Sequence, residues 1–265
     1  MIFVSVISSF INGVLHRHMK SGLSKPVMEL DLASLSSVRQ FAVEWDQQLK
    51  PLHILINNAG ILLMGEGQQF SKDGIEQHVQ VNHVAPALLT LLLIPSLLKP
   101  SSSRVVNVNS LGHHWGVLSS GYWKTKIEEH KFSGMVAYGS SKLLNLMFLK
   151  ALANNLLHHH KNSIQCVAVH PGIVTTNLVP GLKQRKKWWM FDPSEGARSV
   201  LYCATSGELV DNMVKGFAYY SSNCKPAKVS PQANDMKACK DVWEETLNIL
   251  GLDFNYLSQI LSKPA

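Results

Sequence analysis

The chain has 265 residues, of which 46% are hydrophobic, and a formal net charge of +7 at pH 7. This length and apolar content suffice for the core of one domain, and the lack of a Pro/Gly-rich linker or low-complexity run argues against a disordered protein. The four cysteines are far apart and form no Cys-x-x-Cys pair, which indicates reduced thiols of an intracellular protein instead of a disulfide framework.

Residues 1–26 form an atypical N-terminal segment ahead of a single domain over residues 27–265. In this segment an apolar run, Met1–Leu15, precedes the basic stretch His16–Lys20. Three interpretations are open: the segment fills a position in a β-sheet, it is a signal-like or membrane-anchoring segment, or it marks a truncated gene product. Against the second, the run is shorter than the about 20 residues that span a bilayer, and its positive charges follow it instead of preceding it.

The domain alternates short apolar strands with longer helical tracts. Strand Val27–Asp31 comes first, and a buried strand within Pro51–Gly60 ends in an Asn-Asn-Ala-Gly turn. This alternation predicts βαβ units and a parallel sheet. The predicted helices are Ser34–Leu49, Gly74–Leu98, Tyr138–Leu157, Pro193–Ala204 and Asp235–Leu250.

Two polar residues stand where the pattern predicts chemistry. Asn82 lies inside the apolar helix Gly74–Leu98, although asparagine is a poor helix former. Ser110 ends the β-branched strand that starts at Arg104, and a doubly wound sheet presents its chemistry at the carboxyl ends of its strands. The alternative is that each is an ordinary polar residue at the edge of an element.

Tyr138 and Lys142 are separated by four residues in a helical tract, so they share one helix face. A cation held beside a phenol favours the phenolate, which predicts that the pKa of Tyr138 falls from its usual value of about 10 towards neutral pH. Such a phenol can exchange a proton with a substrate oxygen. The alternative is a half-buried tyrosine beside a solvated lysine.

The connection from Ser110 to Tyr138 is long, and its segments Gly112–Gly116 and Gly121–Lys124 are predicted to form one wall of a substrate pocket. His113 and His114 stand next to each other there, but no third ligand follows at a fixed spacing, so we predict no metal site.

Downstream, a strand that begins at Gln165 is broken by Pro171-Gly172 and leads to Thr176. The loop Lys183–Trp189 then combines basic residues with paired tryptophans, which suits a membrane interface with anionic headgroups. Nucleic-acid binding and a merely solvated loop are the alternatives, and no nucleic-acid-binding motif accompanies the patch. In the last predicted helix, a helically spaced apolar stripe indicates core or dimer packing; its members are Cys239, Val242, Trp243, Leu247 and Leu250.

Taken together, these motifs make the chain resemble the short-chain dehydrogenase/reductase family over roughly residues 27 to 250. The motifs are Asn-Asn-Ala-Gly, Val-Asn at Asn82, Val-Asn-Ser at Ser110, Tyr138-x-x-x-Lys142 and Pro171-Gly-x-x-x-Thr176. Within the family the chain is similar to the branch that holds the retinol dehydrogenases and the WW-domain-containing oxidoreductase. The resemblance implies an α/β Rossmann-like doubly wound parallel sheet whose first βαβ unit is missing or replaced.

The resemblance also implies roles for the site residues. Tyr138 would be the general acid/base, Lys142 would lower its pKa and bind the nicotinamide ribose, and Ser110 would hydrogen-bond the substrate oxygen. Asn82 would hold a water that extends the proton relay to the lysine. The catalytic set is therefore Asn82, Ser110, Tyr138 and Lys142, and the cofactor-binding set is Asp31, Leu32, Asn58, Ala59, Gly60, Tyr138, Lys142, Pro171, Gly172 and Thr176.

The implied cofactor is NADP or NAD, but its binding is expected to be impaired. The family's turn Thr-Gly-x-x-x-Gly-x-Gly, which brings backbone N–H groups to the pyrophosphate, does not precede Asp31. Gly13 and Gly22 stand in no such turn, and Gly65-Glu-Gly67 lies in the wrong loop. Two functions follow: an NAD(P)-dependent oxidoreductase of lipophilic alcohols or carbonyl compounds, or a non-catalytic or truncated relative. The partners expected are a small lipophilic substrate, no nucleic acid and a second copy in a homodimer, and the location is cytoplasmic or membrane-peripheral.

Overall fold

In the computed structural model the chain forms a five-stranded sheet with helices on both faces. The structure describes residues 3–6, 28–118, 123–158, 163–176, 178, 187–188 and 190–262, and of residues 3–6 only the backbone. The strands are β1 Phe3–Val6, β2 Ile54–Asn57, β3 Ser103–Val108, β4 Ile164–Val169 and β5 Phe217–Tyr220. The helices are α1 Leu35–Asp46, α2 Gln77–Leu97, α3 Gly134–His158, α4 Pro193–Thr205, α5 Pro231–Asn234, α6 Met236–Leu250 and α7 Tyr256–Leu261.

All strands of the sheet run parallel, in the order β1-β2-β3-β4-β5. Their register aligns the carboxyl ends, since Asn57 lies opposite Asn107 and Val108 lies opposite Val169. The strands are apolar on both faces because helices cover both sides of a parallel sheet. The predicted doubly wound parallel sheet is confirmed, and the residues that follow β2, β3 and β4 meet at one edge.

The two faces of the sheet bury separate cores. One face, which includes Leu55 and Val105, packs in the larger core with side chains of α1, α2, α3 and α6. The other face, which includes Ile56 and Val106, packs in the smaller core with side chains of α4. Helix α3, which bears Tyr138 and Lys142, thus packs against the sheet through the larger core.

Strand β1 lies in the segment before residue 27, for which the sequence left three interpretations open. Its residues Phe3–Val6 pair with β2 over Ile54–Asn57. This is the arrangement expected from the first of the three interpretations of residues 1–26, in which the segment fills a sheet position. Residues 7–26 lie outside the described part of the chain.

The predicted strand Val27–Asp31 is wrong over the residues that the structure describes, because residues 28–31 have no strand partner. Their polar groups serve the start of α1 instead. The Asp31 N–H donates to Ser37 Oγ at 2.9 Å, and Asp31 Oδ1 accepts from the Ala33 N–H at 2.9 Å. A backbone turned towards the helix in this way cannot extend along a sheet edge.

The predicted helices are all present, with ends that differ by a few residues. Helix α3 begins at Gly134, four residues before Tyr138. Helix α2 is long and apolar enough to cross a membrane, but 89% of its most apolar window is buried in the protein, as in a core helix. The apolar stripe of α6 also packs in the chain's own core, where Trp243 stacks on Phe148 with ring centroids 5.0 Å apart.

Candidate active site

The side chains of Ser110, Tyr138 and Lys142 meet at the carboxyl edge of the sheet. Tyr138 and Lys142 are 7% and 5% exposed, so the helix turns both into the protein. Lys142 Nζ lies 5.7 Å from the centroid of the Tyr138 ring and donates to the Val108 carbonyl at 3.0 Å. Ser110 Oγ lies beside the Tyr138 ring, since a Cβ atom on Gly112 would stand 3.4 Å from Ser110 Oγ and 3.3 Å from Tyr138 Cε1. The predicted proton-transfer pair and its serine partner therefore lie together.

Glycines allow the turn after Ser110 to lie directly on the Tyr138 helix. A Cβ atom on Gly139 would stand 2.7 Å from the Gly112 carbonyl oxygen, and one on Gly116 would stand 2.6 Å from the Gly139 carbonyl oxygen. A Cβ on Gly112 would stand 3.3 Å from Tyr138 Cε1. This close backbone contact brings the Ser110 hydroxyl within reach of the phenol, and the sequence analysis did not identify it.

The predicted direction of the Tyr138 pKa is wrong for the protein by itself. Burial raises the pKa of Tyr138, and the nearby Ser110 hydroxyl opposes that rise without reversing it. Burial also lowers the pKa of Lys142 from 10.5 to about 8. Desolvation dominates both pKa values because both groups have lost most of their water. Tyr138 is consequently a neutral phenol at neutral pH, the form that can donate a proton.

Asn82 lies in an irregular part of its helix, as its composition suggested. Residues Gln80–Val84 form a π-helical turn within α2, a feature often found at functional sites. Asn82 Oδ1 accepts from the Ile61 N–H at 2.8 Å, and Nδ2 donates to the Ile61 carbonyl at 3.0 Å and to Ser141 Oγ at 3.0 Å. The side chain thus ties the turn after β2 to the Tyr138 helix.

Gly60 lies next to the side chains of both Asn82 and Lys142. A Cβ atom at Gly60 would stand 3.0 Å from Asn82 Oδ1 and 3.4 Å from Lys142 Nζ. A Cβ here would therefore crowd Asn82 Oδ1 and contact Lys142 Nζ. Cofactor binding by Asn58, Ala59 and Gly60 stays a prediction.

Sequence reasoning missed three buried asparagines that lie next to this site. Asn57, Asn107 and Asn145 are 5%, 3% and 4% exposed, and their carboxamides are hydrogen-bonded to one another in a row. Asn145 could have been found from its spacing, since it stands seven residues after Tyr138 and three after Lys142 on the same helix face.

His113 supports the Ser110 turn through hydrogen bonds at both of its ring nitrogens. Its Nδ1 lies 2.7 Å from the Ser110 carbonyl oxygen, and its Nε2 accepts from the Ser230 N–H at 3.2 Å. A carbonyl only accepts, so the ring is the neutral Nδ1–H tautomer. Burial lowers its pKa to about 4, which agrees with this neutral form. No group of three or more His, Cys, Asp or Glu side chains suited to a metal occurs among the described residues.

The predicted pocket wall stays a prediction, and its two tryptophans differ in exposure. Trp115 is 52% exposed after the Ser110 turn, whereas Trp123 is buried and packs edge-on against His83 with centroids 5.4 Å apart. Trp123 is therefore a core residue. Gly121 and Tyr122 lie outside the described residues. The segments that flank Ser110 and Tyr138 and follow β4 expose further apolar side chains, namely Leu111, Val117, Leu118, Met135 and Ile173.

The other predicted cofactor residues lie at three separate places. Asp31 and the buried Leu32 precede α1. Gly172, with φ of +86°, and Pro171 follow β4, where Phe191 already fills the space that a Cβ on Gly172 would need. The Thr176 hydroxyl accepts from the Leu178 N–H at 3.2 Å. Their contacts with a dinucleotide stay predictions.

Of the predicted membrane loop Lys183–Trp189, only Lys187 and Trp188 are described, and both are exposed. Trp188 is 95% exposed.

The described residues fit the nicotinamide half of a dinucleotide better than its pyrophosphate half. At the nicotinamide half, the buried Lys142 ammonium lies beside both Gly60 and the Tyr138 ring. At the pyrophosphate half, the backbone turn that the family supplies is not found in the sequence between β1 and α1. Lys142, Tyr138 and the Asn58–Gly60 turn would hold the nicotinamide end.

Comparison with known proteins gives one consistent result. A family model described as short chain dehydrogenase matches residues 14–187. The dehydrogenase/reductase SDR family member FEY of Arabidopsis thaliana is 38% identical over 253 residues, which cover 90% of this chain and 67% of the relative. Retinol dehydrogenase 12 of Homo sapiens is 35% identical over 232 residues, which cover 85% of this chain and 70% of the relative.

Solved structures show the same fold. An uncharacterized protein from Mycobacterium paratuberculosis is similar with a TM-score of 0.70 and 28% identity, over 95% of this chain and 84% of that protein. An NADPH-bound carbonyl reductase from chicken fatty liver is similar with a TM-score of 0.58 and 20% identity, over 82% of this chain and 81% of that protein.

Proposed function

Because the chain belongs to the short-chain dehydrogenase/reductase family and is therefore an NAD(P)-dependent oxidoreductase, we propose that it interconverts a lipophilic alcohol and its carbonyl compound with Tyr138 as general acid/base. The observation that carries the proposal is the buried contact at the sheet edge, where Tyr138 lies beside both Ser110 and Lys142. The retained set of Asn82, Ser110, Tyr138 and Lys142 favours this function over a non-catalytic relative.

Proton transfer in the reducing direction follows from the protonation state of the site. The neutral Tyr138 hydroxyl donates its proton to the substrate carbonyl oxygen as hydride reaches the carbonyl carbon. The nicotinamide dinucleotide, when bound, supplies that hydride. Ser110 Oγ accepts from the Gly112 N–H at 3.1 Å, which leaves its own proton to bind the same substrate oxygen as charge develops there. In the oxidising direction Tyr138 takes up the hydroxyl proton.

Lys142 stabilises the phenolate that remains after this transfer. With a pKa of about 8, most Lys142 side chains carry a charge at pH 7. The ammonium lies 5.7 Å from the Tyr138 ring centroid, and its charge is little screened in a buried site. The lysine therefore favours the ionised form of Tyr138 during turnover, even though burial keeps the resting phenol neutral.

The exposed apolar side chains beside the site support a lipophilic substrate. Leu111, Trp115 and Leu118 follow Ser110 and are 45%, 52% and 41% exposed. Apolar surface of this kind commonly marks a binding site. Relatives named retinol dehydrogenase add support for a retinoid, and membrane-surface contact through the loop Lys183–Trp189 would suit such a substrate. Homodimer formation stays a prediction.

An aldehyde reduction assay tests the proposal. We expect NADPH- or NADH-dependent reduction of all-trans-retinal, and a kcat/KM that rises with chain length across straight-chain aldehydes because each added methylene buries apolar surface. Tyr138→Phe should lower kcat by about 100-fold or more, since it removes the proton donor.

Two results would contradict it. Equal kcat/KM for short and long aldehydes would exclude a lipophilic pocket, and undiminished turnover by Tyr138→Phe would exclude the assigned acid/base. Tyr256→Phe is the matched control, because Tyr256 lies on α7 and packs at the edge of the larger core.

A further inference from the structure

A row of buried carboxamides leads from the sheet to the π-helical turn of α2. Asn57 Nδ2 donates to Asn107 Oδ1 at 2.8 Å, and Asn107 Nδ2 donates to Asn145 Oδ1 at 3.1 Å. Asn145 Nδ2 then donates to the backbone carbonyl of Asn82 at 3.0 Å. The row crosses β2, β3, α3 and α2 in turn, and it ends at a residue of the active site.

The last acceptor fixes the direction of the whole row. A backbone carbonyl can only accept, so Asn145 must turn its amide nitrogen towards Asn82 and its oxygen towards Asn107. Asn107 must then present its nitrogen to Asn145 and its oxygen to Asn57. The orientation of every carboxamide therefore follows from one group, without an arbitrary choice between oxygen and nitrogen.

The Asn82 carbonyl accepts this bond from outside its own helix. In a regular α-helix the donor would be the N–H of the residue four positions later, which here is Pro86. Proline has no N–H. Asn145 on the neighbouring helix supplies a donor where Pro86 cannot.

We propose that Asn145 is a positioning residue for the reaction and acts through Asn82. Its amide holds the backbone of Asn82 from one side, while the Asn82 side chain is held by Ile61 and Ser141 from the other. Together these bonds fix the side-chain oxygen of Asn82, Oδ1, beside Gly60 and Lys142. The inference rests on the proposed function for its kinetic consequence, but its structural consequence stands alone.

Two substitutions at Asn145 separate positioning from mere core packing. Asn145→Leu removes both hydrogen bonds. Asn145→Asp keeps the shape, and its neutral carboxylic acid can still accept from Asn107 and donate to the Asn82 carbonyl, whereas its carboxylate cannot donate. We expect Asn145→Leu to lower kcat by about ten-fold or more at every pH, because a small displacement of a reacting geometry slows turnover strongly.

For Asn145→Asp we expect kcat close to that of the parent at low pH and a fall as the carboxyl ionises, a transition that the parent lacks. The KM for dinucleotide should change by less than about two-fold, in contrast to kcat, because Asn145 acts through Asn82 and is not one of the residues that would hold the dinucleotide. Asn154→Asp is the matched control. Asn154 is half-buried and lies nine residues after Asn145 on the same helix, and the pH profile of this variant should equal that of the parent.

Hydrogen exchange provides a readout that does not depend on turnover. The Ile61 N–H donates to Asn82 Oδ1, so Asn145→Leu should make this amide exchange faster, while Asn154→Asp should not. Unchanged protection of Ile61, or an unchanged kcat in Asn145→Leu, would overturn the inference. If the parent protein itself reduces no aldehyde, the proposed function fails, and the Ile61 measurement still decides whether Asn145 positions Asn82.

Discussion

Lys142 is a charged residue at a place where burial opposes its charge. It is 5% exposed, and its Nζ donates to the Val108 carbonyl at 3.0 Å. No salt bridge to Lys142 occurs among the described residues. Burial lowers its pKa from 10.5 to about 8, which corresponds to a cost of about 3 kcal/mol for holding the ammonium in the folded chain. Such a cost is typical of sites where function, not stability, selects the residue.

The pH dependence of stability should reveal this cost. Below about pH 8 both the folded and unfolded chains keep the Lys142 proton, so the folded state bears the whole cost. Between about pH 8 and 10.5 only the unfolded chain keeps it, and stability due to Lys142 rises with pH. Lys142→Met lacks this rise, so the free energy of unfolding of the variant minus that of the parent should fall by about 3 kcal/mol across this range.

Urea denaturation at several pH values from 7 upward measures this difference. The bond lost at the Val108 carbonyl shifts the difference by a constant and leaves its slope intact. Lys99→Met, which changes an exposed lysine, should give a flat difference. A flat difference for Lys142→Met as well would show that burial does not shift the pKa of Lys142.

At the scale of elements, the sequence predicted what short-range patterns determine. The helices and the parallel strands followed from apolar periodicity, and the site followed from the carboxyl ends of β2 and β3 and one face of α3. Contacts between elements were missed because they depend on packing that no local pattern records. The Gly112, Gly116 and Gly139 contact and the pairing of Asn145 with Asn82 are examples. The false strand at Val27–Asp31 failed for the same reason, since a strand needs a neighbour.

The contact between the Ser110 turn and α3 gives a prediction about two elements. Gly139→Ala would place a Cβ 2.7 Å from the Gly112 carbonyl oxygen and 3.0 Å from Trp115 Cδ1. The turn must move away from the helix, which separates Ser110 from Tyr138. We expect a loss of about 1–3 kcal/mol in the free energy of unfolding from overpacking, and a fall of about 100-fold in kcat/KM from the misplaced hydroxyl.

Gly207→Ala is the matched control for thermal unfolding and aldehyde reduction. Nothing lies within 4 Å of a Cβ at Gly207, so that variant should keep the parent's stability and activity. If Gly139→Ala behaved like Gly207→Ala, the turn would not depend on the close backbone contact.

At the scale of the whole molecule, the described residues that suit a dinucleotide lie at its nicotinamide end. Strand β1 pairs with β2 and forms one edge of the sheet. Yet the sequence holds no Thr-Gly-x-x-x-Gly-x-Gly before Asp31. A strand can pair with the edge of a sheet through its backbone groups alone. Binding a pyrophosphate, in contrast, needs a glycine turn that lets N–H groups converge.

We therefore predict that this chain binds NADPH and NADH with a Kd weaker than about 1 μM. Each backbone N–H that would bond a charged phosphate is worth about 1.5–3 kcal/mol, so losing two weakens binding by about 3 kcal/mol or more. Because the adenosine half would then contribute little, reduced nicotinamide mononucleotide should bind within about ten-fold of NADPH. Isothermal titration calorimetry measures all three ligands. Submicromolar NADPH binding, together with much weaker binding of the mononucleotide, would show that residues other than the family's glycine turn hold the pyrophosphate.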